Sequence, residues 1–289
     1  MILWVQMNLK DHLNSFVDFL RSSKKATATT IAYKKDIDQL LEYLNKAGKD
    51  NITSIATQDL NDFLALLASQ NYTPKSISRK INSIKTFYRF LALNKIIDNN
   101  VAAAVVHPKF DTKAPRILSR MEYRALRDAA RADPRIAAVV ELLLQTGMRI
   151  GELSALTTSS PSENFIKIPG IENHPERDIP LNKAAKTALD LYLGVRPKVE
   201  SDALFITKTG RPLLIRNIRT AIDRYFKIAG ISGAKVNDLR HTFIAHHLAA
   251  GTSPILVSKL VGHKRISTTE KYLEFIKDLP AEKVKLEEL

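Results

Sequence analysis

Apolar residues recur at helical spacing from Leu9 to about Leu93: Leu13, Phe16, Val17 and Leu20, then Ile37, Leu40, Leu41 and Leu44. Each set falls on one face of a 3.6-residue repeat, so each predicts an amphipathic helix with a buried stripe. Leu60, Phe63, Leu64 and Leu67 mark a third helix over Gln58 to Ala68, with Thr57 as its expected N-cap, and a fourth opens after Thr73-Pro74. The pattern over residues 8–97 is therefore that of a small helical bundle.

The period lapses over Asp98 to Pro115, where two prolines and adjacent asparagines predict a connector and place a domain boundary. Helical pattern resumes at Ser119, with Glu122 three residues later as a capping box, and continues over Arg135 to Gln145 and Ile150 to Leu156. Between Ser159 and Leu181, two short β-prone pieces, NFIKI and RDIPL, flank PGIENHPE and predict a hairpin. Helices are expected again over Lys183–Leu193, Ile215–Ala229, Asp238–Ala250, Pro254–Val261 and Thr268–Phe275. The predicted class is mainly α with a small β-sheet, in two domains, 8–97 and 116–275, joined by 98–115 and followed by a tail, 276–289.

Composition narrows the partners. The 289 residues carry 44 Lys plus Arg against 30 Asp plus Glu, a formal charge of +14, which points to a polyanion. The excess is spread along the chain, since residues 1–97 alone hold 14 basic and 8 acidic side chains. The absence of cysteine removes disulfides, thiol nucleophiles and Cys-ligated zinc, and suits a reducing cytoplasm. The opening MILWVQMNL lacks a basic region and a cleavage site, and no apolar run approaches the ~20 residues of a membrane span, so no membrane association is expected.

Within the fourth helix, the window Gln70 to Lys95 contains Lys75, Arg79, Lys80, Lys85, Arg89 and Lys95 and no acid. A solvated face normally intersperses both signs. A purely cationic face, with small hydroxyls at Ser76, Ser78 and Ser83, is suited to phosphates, and a helix fits the major groove of duplex DNA.

VNDLRHTFIAHH, Val236 to His247, packs three histidines, a carboxylate and an arginine into one predicted helix. A zinc pair on one helix face needs a spacing of about four, as in H-E-x-x-H, whereas these histidines are five and one apart, so no metal is expected. Leu239, Phe243, His246/His247 and Leu248 can carry a core stripe. Arg240, near the helix start, is placed either to hold a phosphate or to lie on an ordinary surface.

Two further stretches give it company, TGMRIGELSAL (Thr146–Leu156) and LVGHKRISTTEKY (Leu260–Tyr272), beside its own LRHTFIAHHLAAG (Leu239–Gly251). In order and spacing they resemble the boxes of the tyrosine recombinase family, the integrases and Xer-type recombinases. TPKSISRKINSIKTFYRFL resembles the last helix of that family's N-terminal core-binding domain, so the resemblance covers nearly the whole chain. It implies a core-binding domain followed by a catalytic domain that cuts and rejoins duplex DNA without a cofactor.

Residue by residue, the resemblance implies Arg149 and Arg240 as the catalytic arginines, His263 as the histidine of L-G-H, Tyr272 as the nucleophile and Glu152 as the supporting acid. Two guanidiniums suit a phosphodiester that takes on a fifth oxygen and extra negative charge. Tyr272 would form a 3′-phosphotyrosyl link, keeping the bond energy for rejoining.

The match fails at two places. Asn237 stands where the family has a histidine, and an amide cannot shuttle a proton near neutral pH. In the hairpin, Glu172 falls where the family has the lysine that protonates the leaving 5′ oxygen. Lys167 on the incoming strand is the nearest substitute, although its odd offset implies the opposite strand face, and His174 is a second. His241 is expected near the DNA.

The expected function is site-specific recombination, in chromosome dimer resolution or in integration and excision of a mobile element. Two alternatives stand beside it: a DNA-binding relative with impaired cleavage, and a helical DNA-binding regulator. The resemblance also implies a homo-oligomer on DNA, a tetramer on two sites, with or without a partner recombinase or accessory protein. Its tail, Ile276–Leu289, would be the segment that docks on a neighbour; the plain alternative is a frayed terminus.

Overall fold

The computed structural model describes residues 9–111, 113–171 and 174–276. The chain divides into two compact units, at about residue 112. Among the described residues there are twelve α-helices and one two-stranded sheet, so the fold is mainly α with a small β element. No helix among them is long and apolar enough to cross a membrane.

The first unit holds α1 (Leu9–Ser22), α2 (Thr27–Lys46), α3 (Thr57–Ser69) and α4 (Pro74–Leu93). The predicted stripes form its core: Phe16, Leu20, Ile37, Leu40, Leu44, Leu60, Phe63 and Leu67 are buried together with Ile81, Ile84, Phe87 and Leu91 of α4. Phe16 and Phe87 meet edge to face at 5.2 Å, an arrangement that aromatic quadrupoles favour. Two local expectations are corrected. Thr57 does not cap α3: Ala56 occupies the N-cap, Asp59 accepts from its N–H at 2.8 Å, and the Thr57 hydroxyl donates instead to the Val101 carbonyl. Ala102 and Val105, within the stretch read as connector, are buried in this unit's core.

The second unit contains α5 (Arg120–Ala130), α6 (Pro134–Thr146), α7 (Ile150–Ser154), β1 (Phe165–Ile168), β2 (Arg177–Pro180), α8 (Lys183–Val195), α9 (Ile215–Ile228), α10 (Val236–Ala249), α11 (Pro254–Val261) and α12 (Ser267–Ile276). Ser119 and Glu122 form the predicted capping box of α5. α6 is apolar around nearly its whole circumference, which suits a helix enclosed by others. α10 is likewise buried on several sides, so its core is Leu239, Phe243, Ile244, Ala245 and Leu248 rather than a single stripe, and His246 is exposed. β1 and β2 pair antiparallel with Lys167 opposite Asp178 and Ile168 opposite Arg177. Ile166, Ile168 and Ile179 point into the core, which sends Lys167 to the other face.

Candidate active site

α6 ends at Gly147, whose φ of 61° turns the chain out of the helix, and two residues later Arg149 opens α7. Glu152, one turn into α7, reaches back so that its carboxylate accepts from the Arg149 backbone N–H at 2.8 Å and from Nη1 at 2.9 Å. The same carboxylate takes a two-pronged interaction from Arg177 of β2, at 2.9 and 2.8 Å. Arg177 Nε donates to the Leu260 carbonyl at 2.7 Å, while Arg149 donates to the carbonyls of Val261 and Gly262. One buried acid thus ties α7, β2 and the end of α11 together. Burial works to raise the Glu152 pKa, but Arg177 and the Arg149 backbone N–H prevail and bring it down to about 2.

Arg240 lies one turn inside α10 and is buried; its Nη1 donates to the Gly147 carbonyl at 2.5 Å. Burial, followed by the Arg149 charge, lowers its pKa to about 9, which leaves it cationic near neutral pH. α11 stops at Gly262, with φ at 66°, and the next residue, His263, places Nδ1 2.7 Å from the Thr269 hydroxyl. Burial and then Arg240 and Arg149 push the His263 pKa down to about 4, so the imidazole is neutral at physiological pH.

Tyr272 sits on the same face of α12 as Thr269, three residues away, and is buried among Phe243, Ile244, Leu248, Val257 and Val261. Its hydroxyl is 2.6 Å from His241 Nδ1. Burial raises the Tyr272 pKa and Arg240 partly offsets this. Arg149, Arg240, His263 and Tyr272, from α7, α10, the turn after α11, and α12, are therefore brought into one electrostatic site, in which Arg240 feels Arg149, Glu152 and Tyr272, and His263 feels both arginines.

Other expected residues fall elsewhere. Asn237 is exposed in the first turn of α10. Lys167 is also exposed and pairs with Glu176 at 3.1 Å on the strand face away from Arg177, so the structure does not bring it to the site. His174 does belong to the site's field, feeling Arg149, Glu152, Lys264 and Arg177 after burial, and its buried Nδ1 has no hydrogen-bond partner among the described residues. Glu172 and residues 277–289 lie outside the described residues.

The cationic helix α4 is corrected in part. Lys80 is buried: its Nζ donates to Asp36 at 3.0 Å and to Gln39 at 2.6 Å, over the Tyr72 ring. Arg79 and Ser83 also donate to Asp36. The acid missing from α4 is supplied by α2, underneath. Lys75 and Arg89 remain exposed, and Lys85 is half-buried with Nζ 3.3 Å from the Ala103 carbonyl.

Sequence reasoning missed Arg177 as a site residue and did not foresee that His241 faces the tyrosine hydroxyl. The arginine of the RDIPL strand was in view, but its partner lies 25 residues away on another element.

Comparison with known proteins follows the same division. The phage integrase family matches residues 114–277, and the phage integrase N-terminal SAM-like domain matches residues 13–95. Tyrosine recombinase XerC of Anoxybacillus flavithermus is 30% identical, covering 94% of this chain and 95% of the relative. Tyrosine recombinase XerD of Oceanobacillus iheyensis is 31% identical over 92% and 94%. A lambda integrase dimer bound to a COC′ core site shares the fold, with a TM-score of 0.76 at 19% identity, over 97% of this chain and 80% of that chain.

Proposed function

The chain belongs to the phage integrase family, and from that premise we propose that it is a site-specific tyrosine recombinase that cuts and rejoins duplex DNA through a 3′-phosphotyrosyl intermediate. The observation that carries the reading is the gathering of Arg149, Arg240, His263 and Tyr272, from segments up to 123 residues apart, into one electrostatic site.

Arg149 and Arg240 receive the scissile phosphate. Both guanidiniums are already held, by Glu152 and by main-chain carbonyls, so charge developing on the phosphorane meets donors that need little reorganisation. In the tautomer whose Nδ1 accepts from the Thr269 hydroxyl, His263 has its Nε2–H free for a phosphate oxygen. The Tyr272 oxygen attacks phosphorus and the P–O5′ bond breaks. The phosphotyrosyl ester conserves the bond energy, so rejoining consumes neither nucleotide nor metal. On the leaving side the hairpin candidate that remains is His174, because Lys167 faces away; burial and the Arg149 charge lower the His174 pKa, so it donates to the 5′ oxygen through its protonated minority.

Lys75 and Arg89 of α4, with Lys85 and Arg79 in lesser degree, contact the DNA backbone, and Lys80 serves the bundle. The protein works as a homo-oligomer, a tetramer on two sites, in chromosome dimer resolution or in integration and excision of a mobile element. The place of its recovered target, on the chromosome or at an element's ends, separates these roles.

A duplex nicked beside the cleavage point, recovered by covalent capture from a pool with a randomised centre, tests the chemistry. Wild type is expected to be trapped, and Tyr272→Phe to bind without trapping. A second reading, a DNA-binding relative with impaired cleavage, is favoured by the exposed Asn237 and the outward Lys167. Binding by wild type with no covalent complex would establish it.

A further inference from the structure

We propose that His241 is the general base for Tyr272, taking the phenolic proton on Nδ1 as the oxygen attacks the phosphate. The proposal rests on the reading of Tyr272 as nucleophile and names the group that activates it. The two side chains stand 2.6 Å apart, N to O, with ring centroids 5.9 Å apart and the planes tilted by 37°. That is a proton-transfer distance, and general-base catalysis is decided by geometry before acidity.

The contact is held by its surroundings. His241 follows Arg240 in α10, and Arg240 is anchored on the Gly147 carbonyl; Tyr272 is packed against Phe243, Ile244 and Leu248 of the same helix. His263 spends Nδ1 on Thr269, and the exposed amide of Asn237 cannot accept a proton near neutral pH. His241 carries out at the next turn of α10 the work for which Asn237 is chemically unfit.

The charged groups around the pair are Asp238 and Arg240 on α10, His263 after α11, and Tyr272 itself on α12. Burial lowers the His241 pKa, Asp238 raises it and Arg240 lowers it, so the imidazole is neutral and able to accept. Burial also raises the phenol, which makes an unaided phenolate scarce. In the forward step the O–H bond breaks and an N–H bond forms on His241; the O–P bond forms and P–O5′ breaks, the leaving oxygen taking a proton from the hairpin donor. In rejoining, the 5′ hydroxyl gives up its proton and His241 returns its own to the departing phenolate.

The experiment is single-turnover cleavage of the captured duplex in two forms, with a normal bridging oxygen and with a 5′-bridging sulfur whose departure needs no proton. His241→Asn, which retains a hydrogen-bonding atom near the Nδ1 position but no basic one, is expected to cleave both forms about 10²- to 10⁴-fold more slowly at pH 7, with unchanged DNA affinity. The deficit should narrow by about tenfold per pH unit towards the phenol's own range near 10. Cleavage of both forms at the wild-type rate overturns the inference, as does faster cleavage, which would make the contact a latch, or full recovery with the sulfur substrate alone, which would place His241 on the leaving group. If the variant does not fold, the wild-type sulfur-substrate profile decides: a plateau reached below pH 6.5 supports the base, and a rate rising with hydroxide to about pH 10 removes it. Wild type forming no adduct overturns the recombinase reading together with this one, whereas trapping by wild type and equally by His241→Asn defeats only the assignment of the base.

Discussion

Glu152 holds a negative charge against Arg149 and Arg177 in a buried setting, and this makes the second unit sensitive to acid. Its pKa falls from the ordinary 4.5 to about 2 on folding, so the stabilisation is complete above pH 4.5 and is lost as pH drops towards 2. The span corresponds to about 3 kcal/mol. Glu152→Gln should therefore lower the second unit's melting transition at pH 7, by calorimetry of the full chain, and flatten its pH dependence below 4.5; an unchanged slope would show that the carboxylate is not the titrating group. Arg149, Arg240, His263 and Tyr272 stood out in sequence only through the resemblance of their boxes to a known family, since Arg240 read alone fits a surface position as well as a phosphate site. Arg177 did not, since an ion pair between a strand and a distant helix leaves no periodic trace. His241 was expected near the DNA but its partner was not legible, because only the packing of α10 on α12 shows that it meets Tyr272.

At the scale of elements, helix boundaries followed from period and caps to within a few residues, whereas burial did not where a helix is enclosed. α10 carries polar groups inward, Arg240 and Thr242 among them, so a one-face stripe could not describe it. The turn after α11 depends on Gly262: a Cβ there would lie 2.9 Å from Arg177 Nη1, and the backbone is left-handed. Gly262→Ala should destabilise the second unit by about 1–3 kcal/mol and loosen the Arg177–Glu152 pair, read as a lower urea midpoint. In the bundle, α2 and α4 are joined by the Asp36 cluster. Asp36→Ala leaves Lys80 buried without its carboxylate and should cost about 3–5 kcal/mol, while Lys80→Met, which removes the charge but keeps the bulk, should cost far less. Equal losses in urea unfolding would mean that the ion pair is not what joins the helices. The single-signed charge of α4 was visible in sequence, but its buried counter-charge, 44 residues from Lys80, was not.

Over the whole molecule, the charge of +14 predicts DNA affinity that falls steeply as salt rises. Lys75→Ala or Arg89→Ala should each reduce the slope of log K against log salt by about one, whereas Lys80→Met should leave it unchanged; fluorescence anisotropy across a salt series reads all three. Composition and boxes conveyed the class and the two-unit layout, but not that chain beyond Asp98 folds back into the first core through Ala102 and Val105, because small and β-branched residues in a proline-flanked stretch carry no period. A last consequence concerns how a genetic screen of this protein would look. Of the four acceptors that hold the two central guanidiniums, Glu152 is a side chain, and Gly147, Val261 and Gly262 contribute main-chain oxygens. Truncating side chains one at a time cannot delete those oxygens. Inactivating alleles should accordingly recur at the two glycines, where a new side chain shifts the peptide itself, and would pass for folding lesions although the damage lies in how the arginines are aimed.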